Sequence, residues 1–311
     1  MTIEGILPIL KPKGMTSHDV VAKARRFLGI KRIGHTGTLD PEVTGVLPLC
    51  IGRATRMVEY IQELPKQYEA AVVFGLATDT EDLSGNVLEE IPLVQLAEDK
   101  VRSVIQSFVG EISQVPPMYS AVKVDGKRLY ELARAGVEVE RKARNVTIYE
   151  IELLELDLNR DHPEVRFRVI CSKGTYIRTL CVDIGRALGV PAAMKELVRS
   201  STGRIGLEQC VALEDLPRLR EEGLLDTKII QADQAVDYLP SLVLNEQLSV
   251  FALQGRKVRL HEAPALQGSR DSETGVEQTG IIRVYDPHKR FIGLFSWNES
   301  EGHLAPVKVF N

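Results

Sequence analysis

In the stretch KRIGHTGTLDPEVTGVLPLCIGRATR, from Lys31 to Arg56, one aspartate, Asp40, sits between Leu39 and Pro41. Pro41 fixes its own φ, and Gly37 and Gly45 flank the pair. The carboxylate is therefore held on backbone that a ligand can approach closely. Such an aspartate can act as a nucleophile or as a general base. It can equally cap a helix or close an Asp-Pro turn. Spacing alone leaves these alternatives open. His35, the one histidine of the stretch, serves a chemical role or simply bonds turn backbone. Further along, Tyr68, Tyr176, Arg178 and Leu197 stand in segments with the same open choice. A tyrosine in a strand is ordinarily a half-buried aromatic, and a lone arginine is ordinarily a surface cation.

Other chemistries lack their residues. There is no G-x-x-x-x-G-K-[ST] phosphate loop, no G-x-G-x-x-G, no H-E-x-x-H and no G-x-S-x-G. Asp79, Glu81 and Asp82 lack the spacing of a calcium loop and read as an acidic surface loop. Cys50, Cys171, Cys181 and Cys210 are far apart and the six histidines are scattered, so neither a zinc framework nor a disulfide scaffold is expected.

The 311 residues carry a net charge of −4, which argues against a bulk polycation. The distribution is uneven. Lys11 to Tyr60 holds nine Lys/Arg against four Asp/Glu, whereas Ile61 to Lys100 holds two against nine. A basic patch on an acidic protein is the expectation. Hydrophobic residues at 44% supply a sizeable core. The start, MTIEGILPILKPKG, lacks the pattern of a secretory signal, and no apolar run reaches the length of a membrane span. A reducing cytoplasm and no membrane partner are expected.

The elements that must position these residues follow from pattern. Ile6 to Leu10 reads as a strand. Ser17 reads as the N-cap of a helix whose apolar residues Val20, Val21, Ala24, Phe27 and Leu28 precede a stop at Gly29. A second helix is expected from about Ala54, with Met57, Val58 and Ile61 on one face. Tyr68 to Phe74 reads as a strand followed by a loop, with a turn at Ser84–Val87. Asp99 to Val109 and Arg128 to Ala135 read as helices. Val146 to Leu156 and Val165 to Cys171 read as strands, and the latter leads through SKGT into a helix ending near Gly189. Beyond Pro240, short β-rich runs suit a small barrel-like module, with a polar loop at 265–280.

The motifs together are more specific than any one of them. GHTGTLDPEVTGVLPLCIGRATR resembles the catalytic loop of the TruB family of RNA pseudouridine synthases. LKPKGMTSHDVV, KQYEAAVVFGLATDTEDLSG, PPMYSAVKVDGKRLYELARAG, SKGTYIRTLCVDIGRALG and MKELVRSSTG resemble other blocks of that family, in the same order and across most of residues 5–205. The C-terminal segment is similar to a PUA-type RNA-binding module. The resemblance implies an α+β catalytic domain with a mixed, largely antiparallel sheet at 1–240 and a PUA-like module at 241–311.

It also implies roles. Asp40 matches the catalytic aspartate, Tyr68 the tyrosine that stacks on the target base, and Arg178 the arginine that pairs with the aspartate. Tyr176 and Leu197 match base-pocket positions. His35 matches the histidine that fills the space left by the flipped nucleotide. Lys11 and Pro12 match the motif behind the active site, and Gly37 belongs to the substrate-binding loop. A closed pocket disfavours a charged carboxylate, and a nearby guanidinium opposes that. Flipping costs a few kcal/mol, and stacking on Tyr68 returns about 1–3 kcal/mol. The Tyr68 hydroxyl is expected to help remove the C5 proton.

The implied activity is isomerisation of the uridine at position 55 in the tRNA T-loop, with no cofactor and no metal. The partner is the tRNA T-arm stem-loop, and the chain is expected to act as a monomer. Lys31, Arg32, Arg53, Arg56, Lys123, Lys127 and Arg128 are candidate phosphate contacts. Two other readings remain: the catalytic subunit of a guide-RNA-dependent pseudouridylase, and an RNA-folding protein for which catalysis is secondary. The short N-terminus ahead of the first motif favours the stand-alone enzyme.

Overall fold

A computed structural model describes residues 3–124, 126–260, 266–267 and 280–310. Two compact units do not follow chain order. The first comprises 1–40, 46–64 and 203–311, and the second 41–45 and 65–202. The fold is α+β, with mixed, largely antiparallel sheets and a C-terminal β module.

In the second unit, strands run in the order Thr44–Gly45, Ala192–Thr202, Lys66–Phe74, Glu164–Cys171, Arg144–Asp157 and Gly110–Gln114. Only the first pair is parallel. Alternation explains Glu164–Cys171: Val165, Phe167, Val169 and Cys171 are buried, while Arg166 and Arg168 face outward. On that outer side Arg168 pairs with Glu69 and Glu152, and Arg166 with Glu155 and Glu196. These exposed cross-strand pairs favour the register and each contribute little. The helix Ile177–Leu188 packs against this sheet. A Cβ at Gly185 would stand 2.4 Å from the Ala192 Cβ, so only glycine permits that approach.

Ala192–Thr202 has no counterpart among the sequence expectations. Its residues do not alternate cleanly, because register shifts fall between Met194 and Glu196 and between Arg199 and Ser201. The expected loop after Phe74 holds a small hairpin, Leu76–Thr78 with Val87–Glu90. The helix expected from Asp99 runs Glu98–Gln106, and Gly110 instead opens a strand.

In the first unit, Gly5–Lys11 pairs in parallel with Val211–Ala212 and neighbours residues 46–51 of the strand Thr44–Ile51, whose other partner in this unit is Ile33–His35. The helix Ser17–Leu28 buries Val20, Val21, Ala24 and Leu28 against Leu7, Leu49, Leu216 and Leu219. Gly29 closes it in the left-handed conformation, φ 67°. The second expected helix begins as a 3-10 turn, Gly52–Met57, and becomes α-helical over Val58–Glu63.

The C-terminal strands Ser241–Val243, Ile281–Tyr285, Phe291–Asn298, His303–Val309 and Val258–Arg259 form one five-stranded sheet in that order. It has its own core of Leu244, Ala252, Val258, Ile282, Val284 and Phe295. Its Leu294 is buried among Ile6, Cys50, Met57, Ile61 and Val236. Apart from Leu266, Gln267 and Gly280, the polar segment 265–280 lies outside the described residues, as does Asp125 in the expected VDGK turn. Among the described residues, no helix is long and apolar enough to cross a membrane.

Candidate active site

In the first unit, the Asp40 loop is tied down by the helix beside it. The helix N-cap is Thr16, not Ser17 as expected. The Thr16 hydroxyl accepts the Asp19 amide at 3.1 Å, and the Asp19 carboxylate accepts the Thr16 amide at 2.9 Å. The Thr16 hydroxyl also donates to that carboxylate at 2.6 Å, and this bond first, then the one from the Thr16 amide, holds the Asp19 carboxyl below its ordinary pKa. Thr16 takes the cap because it alone is extended, φ −73° and ψ 158°, while Ser17 is already helical. Ser17 is thereby fully buried with another task. Its hydroxyl accepts the Leu39 amide at 2.9 Å and donates to the Leu39 carbonyl at 3.3 Å. The residue before Asp40 is held by both of its backbone polar groups.

The same loop is fixed upstream. His35 pairs with Leu49, and the Thr36 amide donates to the Pro48 carbonyl at 3.2 Å. The His35 Nδ1 accepts the Gly37 amide at 3.3 Å, and the ring meets His18 edge-on with centroids 5.4 Å apart. This is the backbone-bonded histidine that sequence spacing also allowed. Lys11 is fully buried, its Nζ donating to the Pro12 carbonyl at 2.9 Å.

In the second unit, the pairing register places Tyr68 directly opposite Val169 on one side and Arg199 on the other, with Leu197 opposite Ala70. Tyr68, Leu197 and Arg199 therefore share one face of the sheet. Arg199, 2% exposed, lies on the face that carries Tyr68 and was not singled out from sequence. The only signal available was an arginine among β-compatible residues in MKELVRSSTG. Gly45 has an internal reason. At φ 116°, a Cβ there would stand 2.2 Å from the Arg199 carbonyl oxygen. This glycine lets two strands touch.

Arg178 stands in the first turn of Ile177–Leu188 and is 5% exposed. Its two terminal nitrogens donate to the Thr80 carbonyl at 2.9 Å and the Tyr119 carbonyl at 2.7 Å. A guanidinium held by two carbonyls from separate loops has its direction fixed. Tyr176 is the N-cap of the same helix, with no side-chain cap. Gln114, 2% exposed, clasps it instead. Its Oε1 accepts the Tyr176 amide at 3.0 Å and its Nε2 donates to the Tyr176 carbonyl at 3.2 Å. Gln114 was also missed, because an isolated glutamine at a strand end carries no spacing signal.

Cys50, Cys171 and Cys181 are buried and structural. Burial pushes the thiols of Cys50 and Cys171 up to about 12, far from thiolate chemistry.

Several expected phosphate contacts have internal partners: Arg32 bonds Thr55, Arg53 pairs with Glu4, Arg56 bonds the Val309 carbonyl and Arg128 bonds the Tyr130 hydroxyl. Lys123 instead lines a cavity of about 250 Å³ together with Arg141, Lys142 and Arg144, against one acid, Glu140. Arg128 and Arg134 lie 5.8 and 5.6 Å from the Tyr130 ring centre in the adjoining helix. This cationic concavity suits a phosphate.

Residues 25–177 match the model of the TruB family pseudouridylate synthase N-terminal domain. Residues 178–237 match that of the tRNA pseudouridylate synthase B C-terminal domain, and 240–310 that of the pseudouridine synthase II TruB C-terminal domain. A Geobacillus thermodenitrificans protein named tRNA pseudouridine synthase B is 44% identical over 99% of this chain and 100% of its own. A Bacillus subtilis protein of the same name is 42% identical, over 99% and 97%. Among solved structures, a chain of a Cbf5–Nop10–Gar1 complex is 29% identical with a TM-score of 0.73, covering 99% of this chain and 84% of that one. The fold is that of a pseudouridine synthase. The chain belongs to the TruB family of pseudouridylate synthases.

Proposed function

We propose that this chain, acting alone as a monomer in the cytoplasm, isomerises the uridine at position 55 in the T-loop of tRNA to pseudouridine without a cofactor. The observation that carries the tRNA reading is the match along the entire chain: 44% identity over 99% of it to a protein named tRNA pseudouridine synthase B. The likeness to chains of an H/ACA RNP and of a Cbf5–Nop10–Gar1 complex is lower, at 27% and 29%.

The reaction breaks the bond between uracil N1 and C1′ and forms one between C5 and C1′. C5 loses a proton and N1 gains one, so the atoms balance with no redox partner. By the resemblance, Asp40 acts as the nucleophile, on a loop that Ser17 keeps rigid, and Arg178 takes the part of the family's arginine that pairs with the aspartate. Tyr68 stacks on the flipped base and its hydroxyl assists removal of the C5 proton. Tyr176 and Leu197 line the base pocket, Gly37 belongs to the loop that receives substrate, His35 occupies the gap in the RNA stack, and Lys11 with Pro12 backs the site. The double clamp on Arg178, itself 5% exposed, supports its part, because a surface cation is not held inward by two backbone carbonyls. The T-arm backbone lies along Lys123, Lys142 and Arg144, and the boundary at residue 240 marks off a C-terminal RNA-binding module.

The test is tritium release from C5-labelled uridine in unmodified tRNA, with the purified chain and its Asp40→Asn variant. Release by the first and none by the second is the expected result. No release by either overturns the stand-alone reading, and release restored by added guide RNA and protein partners would assign the chain to the guide-dependent class. Tyr68→Phe keeps the stacking ring. Normal turnover by it would remove the proton-transfer role of the hydroxyl.

A further inference from the structure

We propose that Glu81 is a positioning residue that aims Arg178 through the Thr80 carbonyl. The inference rests on the reading of Arg178 as an active-site arginine. Among the described residues only Glu81 and Lys289 are non-glycine residues with positive φ, and Glu81 stands at 64°. The φ of a residue sets the direction of the peptide plane before it. The Thr80 carbonyl that receives the Arg178 guanidinium at 2.9 Å therefore points where it does because Glu81 is left-handed. A left-handed glutamate is disfavoured and persists only where the surroundings hold it.

Three contacts hold it. The Glu81 amide donates to the Thr78 carbonyl at 3.3 Å, and its carbonyl accepts the Met194 amide at 3.0 Å. The Thr179 hydroxyl donates to its carboxylate at 2.7 Å. Thr179 follows Arg178 on the helix. The tether closes a short ring: Arg178 to the Thr80 carbonyl, Thr80 to Glu81, Glu81 back to Thr179. Two bonds on adjacent helical residues thus fix one loop, and the loop fixes the guanidinium. An ordinary acidic surface loop, the reading the sequence favours for Asp79, Glu81 and Asp82, needs neither a left-handed glutamate nor its tether to a threonine that is 6% exposed. Burial raises the Glu81 pKa and the Thr179 bond opposes this, with Arg178 next in influence, which agrees with a carboxyl group turned inward.

The experiment is steady-state isomerisation of unmodified tRNA by Glu81→Ala, Glu81→Gln, Thr179→Val, Thr179→Ser and the Glu81→Ala/Thr179→Val double variant, each with its melting temperature. Glu81→Ala and Thr179→Val are expected to lower kcat about tenfold with KM for tRNA within about twofold. Glu81→Gln and Thr179→Ser keep an acceptor and a donor, and recover kcat to within about threefold of the parent. The double variant should be no slower than the slower single one, because both remove one tether. A kcat change under about twofold in both singles, or losses that multiply in the double, would overturn the proposal. So would a kcat loss that merely follows melting temperature. If Glu81→Ala does not fold, the Thr179 pair decides. A parent chain that releases no tritium sinks the reading of the site and this inference with it; an active parent with unaffected variants sinks this inference alone.

Discussion

The buried hydroxyl of Ser17 bonds both backbone polar groups of Leu39, at 2.9 and 3.3 Å, so the residue preceding Asp40 cannot rotate without leaving two buried groups unpaired. Ser17→Ala removes both bonds at a cost of about 1–3 kcal/mol. It releases the loop by enough to lower kcat about tenfold to a hundredfold, given how steeply rate falls with misplacement. Thr16→Ala removes the helix cap instead. It should cost about 1 kcal/mol of stability and leave kcat within about twofold. Steady-state kinetics and thermal melts on the two variants separate a loop clamp from a cap. The opposite pattern would return the capping role to Ser17.

Gln114 gives a second case. Its amide bonds both the N–H and the C=O of Tyr176 at the start of the helix that carries Arg178. Gln114→Leu leaves the Tyr176 N–H unpaired and its carbonyl with the Leu180 amide alone, at 3.0 Å, and Gln114→Glu keeps the acceptor while losing the donor. The expected order of kcat is parent, then Glu, then Leu, with the leucine variant about tenfold or more down. Equal activity in all three would mean that Tyr176 is placed by the helix alone.

These two residues show what the sequence did and did not make legible. Strong local patterns were readable: the helix ending at Gly29, the alternating strand through Val165 and Cys171, the helix closed by Gly189. The candidate site residues Asp40, Tyr68 and Arg178 rest on resemblance alone, since each stands in a long motif. Ser17 and Gln114 were not, because their partners lie 22 and 62 residues away and only the fold brings them together. The strand Ala192–Thr202 was lost to its two register shifts, which break the period of two. The sequence places Gly45 beside backbone that a ligand can approach, whereas its missing Cβ makes room for the Arg199 backbone. The division into units was hidden for a related reason. The core beneath Met57 and Ile61 is completed by Val236 and Leu294, from the far end of the chain.

Glu81 yields a prediction in pH. Burial raises its folded pKa above the unfolded value. A carboxyl group with a raised folded pKa binds more protons in the folded state across the window between the two values. Its contribution is fully present below the unfolded pKa and is lost as pH rises through the folded one. Glu81→Gln removes that titration. The melting temperature of the variant relative to the parent should therefore increase from pH 4 towards neutrality and then level off. A difference that stays constant, or falls with pH, would contradict the burial of this carboxyl.

The cavity of Lys123, Arg141, Lys142 and Arg144 predicts a salt signature. A cation that neutralises a phosphate releases a condensed counterion, so each such contact contributes about 0.7–0.9 to the slope of log affinity against log salt. Arg141 also donates to the Pro116 carbonyl at 3.0 Å and shapes the cavity wall, so it is best left in place. Lys123→Ala, Lys142→Ala and Arg144→Ala together should weaken tRNA binding and reduce the magnitude of the slope by about 2–3. Binding measured by filter retention at several salt concentrations, with the inactive Asp40→Asn background preventing turnover, provides the slope. The same three substitutions should leave kcat at saturating tRNA within about twofold, because phosphate contacts fix register and do not touch the reacting base. A slope unchanged from the parent would place the RNA backbone elsewhere. An unchanged slope with lower kcat would instead make the cavity a support for the neighbouring Tyr119 loop that holds Arg178.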